Sequence, residues 1–181
     1  MFDNFNIERY KQITFPKDNS LRTLSEIKKL KLMPLNKVLP PKYDDIGNVF
    51  QNIFSHRAES FPYRVVQKLI EESEPVIKKI KNYHNRPRPN VNAKKFKIDL
   101  DYLKMKSAQT PSFPSGHSAQ SKLVALALTS IYPHLKREFD KAAENISNSR
   151  IVARVHYESD KTVGEKLGVD LYNHIKHLKY I

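Results

Sequence analysis

The chain has 181 residues, enough for one domain with a core of its own. Hydrophobic residues make up 39% of it, which excludes global disorder, and the lack of cysteine excludes a disulfide scaffold and thiolate metal sites. With 32 Lys and Arg against 19 Asp and Glu, the net charge is +13, so the partners it attracts are anions: nucleic acid, anionic lipid headgroups or phosphorylated small molecules.

The first twelve residues, MFDNFNIERYKQ, hold no apolar run of signal-peptide length. Residues 21–32 have apolar side chains at helical spacing, with Ser20 as N-cap. Residues 33–45 hold three of the eleven prolines and read as an extended connection. From about residue 46 the pattern is helical. Val66, Leu69, Ile70, Ser73, Ile77 and Ile80 follow a 3.6-residue period, which Pro75 either kinks or restarts. Residues 94–105 are the one stretch that alternates like a strand.

Residues 118–132 are apolar nearly all round, the mark of a helix buried on several sides. Their most apolar part, residues 123–132, is too short to cross a bilayer at about 1.5 Å per residue. Residues 134–146 read as a charged amphipathic helix. Over 161–179, Val163, Leu167, Leu171, Ile175 and Leu178 form one stripe. Gly164 and Gly168 share a face there and allow another helix to come close. The fold class is all-α, a helical bundle.

Three places carry chemistry. Pro114-Ser115-Gly116-His117 stands at the start of a helix, where unpaired N–H groups and partial positive charge attract anions. Glycine lets a ligand approach the backbone, serine adds a donor, and histidine can deliver a proton near neutral pH. Lys81, Arg86 and Arg88 gather where another helix ends, and arginine clamps phosphate through paired hydrogen bonds. His156 and Asp160 are four apart, so on a helix the carboxylate orients the imidazole as a base or nucleophile. Arg150 lies just before them. Each place alone also reads as a cap, a basic helix end or surface decoration.

Taken in order, Lys81-x6-Arg88-Pro89, Pro114-Ser115-Gly116-His117 and Ser149-Arg150-x5-His156-x3-Asp160 resemble the three-part signature of the type 2 phosphatidic acid phosphatase superfamily. That group includes lipid phosphate phosphatases, bacterial non-specific acid phosphatases and vanadium-dependent haloperoxidases. Lys79-x6-Arg86-Pro87 also fits the first motif. Lys81 and Arg88 are preferred, because family members often carry a further arginine two before the motif arginine, as Arg86 would be.

The resemblance implies a bundle with its site at helix ends: a helical phosphatase domain over 46–181, preceded by an extension over 1–45 with one short helix and a Pro-rich connection. It implies that Lys81, Arg88, Ser115, Gly116 and Arg150 hold phosphate. It makes His156 the nucleophile, Asp160 its orienting carboxylate and His117 the acid. No cofactor and no metal are expected, although vanadate or phosphate suits the site. The expected activity is metal-independent hydrolysis of phosphate monoesters, of a lipid phosphate or of a diphosphate, through a phosphohistidine. The expected partner is a phosphorylated small molecule or lipid headgroup, with peripheral contact to an anionic membrane. The expected location is cytoplasmic. A vanadate haloperoxidase and a non-catalytic anion- or nucleic-acid-binding protein are the alternatives. The first asks for a longer chain, and the second leaves the His156–Asp160 set unexplained.

Overall fold

The computed structural model describes residues 1–177. They form an all-α bundle, and no strand occurs among them. The long helices are α5 (Tyr63–His84), α7 (Gly116–Ile131), α8 (Lys136–Val152) and α9 (Glu158–Ile175). Shorter ones are α1 (Glu8–Lys11), α2 (Leu21–Leu32), α3 (Leu39–Lys42), α4 (Ile46–Gln51) and α6 (Pro89–Lys95). Helix α7 is the hub, packed against α5, α8 and α9. Its Leu123, Val124, Ala125, Ala127 and Leu128 are fully buried, as its all-round apolar sequence requires. Each large side chain so buried contributes roughly 1.5–3 kcal/mol relative to exposure.

The α7–α9 contact depends on two glycines. A Cβ on Gly164 would stand 2.5 Å from the Ser115 carbonyl oxygen, and one on Gly168 would stand 2.4 Å from that of Ala119. Both are closer than a carbon can come, so backbone meets backbone only because the side chains are missing. The apolar stripe of α9 faces the same core with Leu167, Leu171 and Ile175. Leu178, expected on that stripe, lies outside the described residues.

Several expectations about elements need correcting. Ser20 caps α2 as expected, its oxygen accepting from the Thr23 N–H. The Pro-rich connection is not wholly extended, because Leu39-Pro40-Pro41-Lys42 closes one helical turn. Helix α5 continues through Pro75, which lies on its exposed side. The Ile70 carbonyl in the preceding turn takes hydrogen bonds from Ser73 Oγ and Gln120 Nε2. Helix α8 runs on to Val152, past the expected residue 146, since Ser147, Ser149, Arg150 and Ile151 are also buried. The alternating stretch 94–105 makes no strand. Lys94 and Lys95 finish α6, and the Leu103 N–H pairs with the Ala153 carbonyl.

The first 45 residues are packed into the body. Phe2 and Tyr10 join the main core, while Ile27 and Leu30 form a second cluster with Ile151 and Tyr157. No helix among the described residues is long and apolar enough to cross a membrane.

Candidate active site

Ser115 caps α7, its Oγ accepting from the N–H of Ser118 at 3.3 Å and the hydroxyl of Ser118 at 2.9 Å. Its own N–H donates to the Asp160 carbonyl at 3.0 Å, which joins the starts of α7 and α9. Gly116 follows, and a Cβ there would meet only ordinary contacts, Ile77 Cγ2 at 3.6 Å and Lys81 Cε at 3.8 Å. Neither packing nor backbone conformation therefore demands this glycine. What its missing side chain leaves open is space beside Lys81 at a helix N-terminus.

Helix α5 ends at Asn85, held in the left-handed region (φ 45°) and donating its N–H to the Lys81 carbonyl. The chain then runs to Pro89, which starts α6. This turn delivers two guanidiniums to one His–Asp pair. Arg88 Nη1 lies 3.3 Å from His156 Nε2 and donates to the Val155 carbonyl, while its Nε donates to the Thr110 carbonyl. Arg86 Nη1 donates to Asp160 Oδ1 at 2.6 Å and to Ser159 Oγ at 2.8 Å. Its Nη2 meets Glu26 Oε2 at 3.0 Å, and the group stacks 3.9 Å over the Tyr157 ring. Lys81 is buried, with Nζ on the carbonyls of Pro111 and Ser112, whereas Lys79 is exposed.

Between α8 and α9 the chain turns at Arg154, again in the left-handed region (φ 59°). The turn places Arg150 and His156 on the same site. His156 Nδ1 stands 3.2 Å from Asp160 Oδ2, which also accepts the Tyr157 N–H. An ionised carboxylate only accepts and a guanidinium only donates, so the proton is on Nδ1 and the lone pair of Nε2 faces Arg88. Burial keeps the His156 ring neutral well below its ordinary range, with Arg88 and Lys81 adding to it and Asp160 opposing. Burial would raise Asp160, but the His156 hydrogen bond and Arg86 outweigh it and hold the carboxyl low.

One site residue was invisible in the sequence. Asp44, just before α4, accepts from Arg150 Nη1 at 2.9 Å and from Ser107 Oγ at 2.7 Å. Its carboxylate is also 3.1 Å from His117 Nε2, and its carbonyl oxygen is 3.0 Å from the same nitrogen. Both are acceptors, so His117 Nε2 carries a hydrogen. The hydrogen bond from His117 is the main cause that holds Asp44 far below the usual carboxylate range. Burial nevertheless lowers His117 below its ordinary value against that pull.

The cations crowd one another. Burial, helped by Arg88, brings the Lys81 ammonium down to about 7 against the pull of Asp160. Burial lowers Arg88 to about 10 and lowers Arg150 as well. A cavity of about 650 Å³ lined by Arg88, Thr110, Pro111, Tyr102 and Met105 opens beside the cluster, so Arg88 borders open space.

The eight sequence-derived positions thus lie at one end of the bundle: Lys81, Arg88, Ser115, Gly116, His117, Arg150, His156 and Asp160. Arg86 binds the Asp160 oxygen that His156 does not take. Outside the site, His174 is exposed beside the Phe5 ring. His84 bonds the Tyr10 carbonyl.

The chain is similar to several known proteins. A non-specific acid phosphatase of Salmonella typhi is 35% identical over 57 residues, and one of Salmonella typhimurium is 33% identical over 57. In each case the match spans 32% of this chain and 23% of the relative. The fold matches that of a transmembrane PAP2-type phosphatidylglycerolphosphate phosphatase from Bacillus subtilis. That match has a TM-score of 0.53 and 20% identity, over 86% of this chain and 83% of that one. The sequence pattern of the PAP2 superfamily covers residues 72–177, from within α5 to the end of the described chain and with every motif inside it, and the chain belongs to that superfamily.

Proposed function

We propose that the protein is a metal-independent phosphatase that hydrolyses phosphate esters through a phosphohistidine on His156. One observation carries this reading. The His156 lone pair faces the Arg88 guanidinium, while its other nitrogen is tied to a buried carboxylate. That is the arrangement of a nucleophile aimed at an anion.

Lys81, Arg88 and Arg150 hold the phosphoryl oxygens, together with the Ser115 hydroxyl and the N–H groups at the start of α7. Phosphoryl transfer asks for positioning and for neutralising charge on those oxygens, which fixed cations supply. His156 Nε2 attacks phosphorus in line, and a phosphorus–nitrogen bond forms as the phosphorus–oxygen bond to the leaving group breaks. Asp160 balances the charge that develops on the ring. The leaving oxygen takes the proton of His117 Nε2, which Asp44 otherwise occupies. Water then attacks phosphorus, gives its proton to His117, and the phosphorus–nitrogen bond breaks to release phosphate and neutral His156. Burial holds His117 below its ordinary range, so the arriving phosphate charge is what favours its acid form.

The Salmonella relatives are named as non-specific acid phosphatases, which supports a phosphomonoester substrate. Hydrolysis of an aryl phosphate from pH 4 to 8, in excess chelator, tests the reading. Wild-type turnover that vanishes in His156→Ala is expected. Turnover that requires added metal, or that survives the substitution, contradicts it.

A further inference from the structure

Residues 28–42, KKLKLMPLNKVLPPK, contain five lysines and no acidic residue. Lys28, Lys29, Lys31, Lys37 and Lys42 are all exposed. Among them stand large apolar side chains turned to water: Leu32 is 85% exposed, Val38 76% and Leu39 40%. Scattered single apolar side chains need no explanation, but three in one short basic segment do.

The segment is braced. Arg154 Nη2 donates to the carbonyls of Lys31 and Met33 at 3.2 and 2.6 Å. The Asn36 side-chain oxygen accepts the N–H groups of Val38 and Leu39 at 2.9 and 2.8 Å. Pro40 is buried, and α3 packs on α8. A fixed backbone therefore presents Val38 and Leu39 outward. The same segment leads into Asp44, which lies on Arg150 and His117, so its last residue is two positions from a group of the anion site.

We propose that residues 28–42 dock the chain on an anionic lipid surface. The lysines face headgroup phosphates, and Leu32, Val38 and Leu39 enter the boundary between headgroups and acyl chains. Apolar side chains framed by lysine are the composition that binds such a surface, the lysine stems adding apolar length below a charged tip. The unbroken basic frame selects a negatively charged layer as the occupant over an apolar protein face. Docked this way, the phosphate cradle stands beside the headgroups. The placement of the cradle rests on the phosphatase reading, and the docking does not.

Co-sedimentation with vesicles of phosphatidylcholine alone, or of phosphatidylcholine with phosphatidylglycerol, is the test. The wild type is expected on the anionic vesicles, less so in high salt. The triple variant Leu32→Ser, Val38→Ser, Leu39→Ser is expected to bind them roughly tenfold less or weaker still, while its turnover of a small aryl phosphate stays unchanged. Lys31→Glu with Lys37→Glu is expected to remove the preference for anionic vesicles. Absent wild-type binding, or equal binding by the triple variant, overturns the proposal. So does a wild-type dimer that the triple variant converts to monomer without any vesicle binding, since the face would then belong to a second copy. Vesicle binding without phosphatase turnover would defeat the catalytic reading and leave the docking surface standing.

Discussion

Arg86 holds Asp160 from behind: its guanidinium sits 2.6 Å from one carboxylate oxygen while His156 takes the other at 3.2 Å. Glu26 binds the far side of Arg86 and also accepts the Ser159 N–H at 2.9 Å. The carboxylate that orients His156 is therefore itself oriented. Arg86→Lys keeps the charge but cannot reach Asp160, Ser159 and Glu26 together. The expected result is a kcat lower by about tenfold or more, with KM little changed, because supporting contacts of this kind act on geometry at the reacting group. Steady-state kinetics on an aryl phosphate would show it. A change confined to KM would mean that Arg86 touches substrate.

Lys81 gives the site a pH limit. Its ammonium is held down to about 7, so in the free enzyme it is charged below that pH and neutral above it. Anion binding therefore weakens as pH rises through 7, and kcat/KM, which reports the free enzyme, falls on that limb. Lys81→Arg keeps the charge, and the limb is expected to move to higher pH. A limb that stays in place belongs to another group, with His117 the next to test.

Two glycines separate packing from binding. Gly164→Ala forces a methyl against the Ser115 carbonyl, and overpacking of this kind costs about 1–3 kcal/mol. Both stability and activity are expected to fall, since Ser115 must move. Gly116→Ala meets no clash from the protein itself. It is expected to leave the thermal midpoint nearly unchanged and to weaken phosphate inhibition. Thermal melts paired with phosphate titration distinguish the two.

Asp44 occupies Arg150 and His117 with a carboxylate. Asp44→Asn removes a negative charge from the place where a phosphoryl group needs a positive one. Inorganic phosphate is expected to inhibit this variant at severalfold lower concentration than the wild type. Weaker inhibition would mean that Asp44 helps to form the cradle instead of competing for it.

Much of this was legible in local patterns. The motif residues fell together because each sits at a helix end that the sequence marks: a serine cap before Gly116, a proline after Arg88, a His–Asp pair one turn apart. The α7–α9 contact was foreshadowed by Gly164 and Gly168. Lys79 and Lys81 fitted the first motif equally. The apolar stripe could have decided between them, since Lys81 lies one turn beyond Ile77 on the buried face and Lys79 does not. Long-range partners left no such trace. Asp44 bonds a histidine 73 positions away, and Glu26 a backbone amide 133 positions away. Nothing in the neighbourhood of either carboxylate announces those contacts, because tertiary packing alone creates them. Arg86 looked like a second phosphate clamp for the same reason. Its partners, Asp160 and Glu26, are known only once the helices are assembled.

The central claim is that phosphorus passes through His156. The most direct measurement is rapid quenching of the enzyme during turnover of an aryl phosphate, followed by mass spectrometry of its peptides at alkaline pH. An acid-labile phosphoryl group on the peptide carrying His156, absent from His156→Ala, is the predicted result. A phosphoryl group on another residue, or steady turnover by His156→Ala, would contradict it.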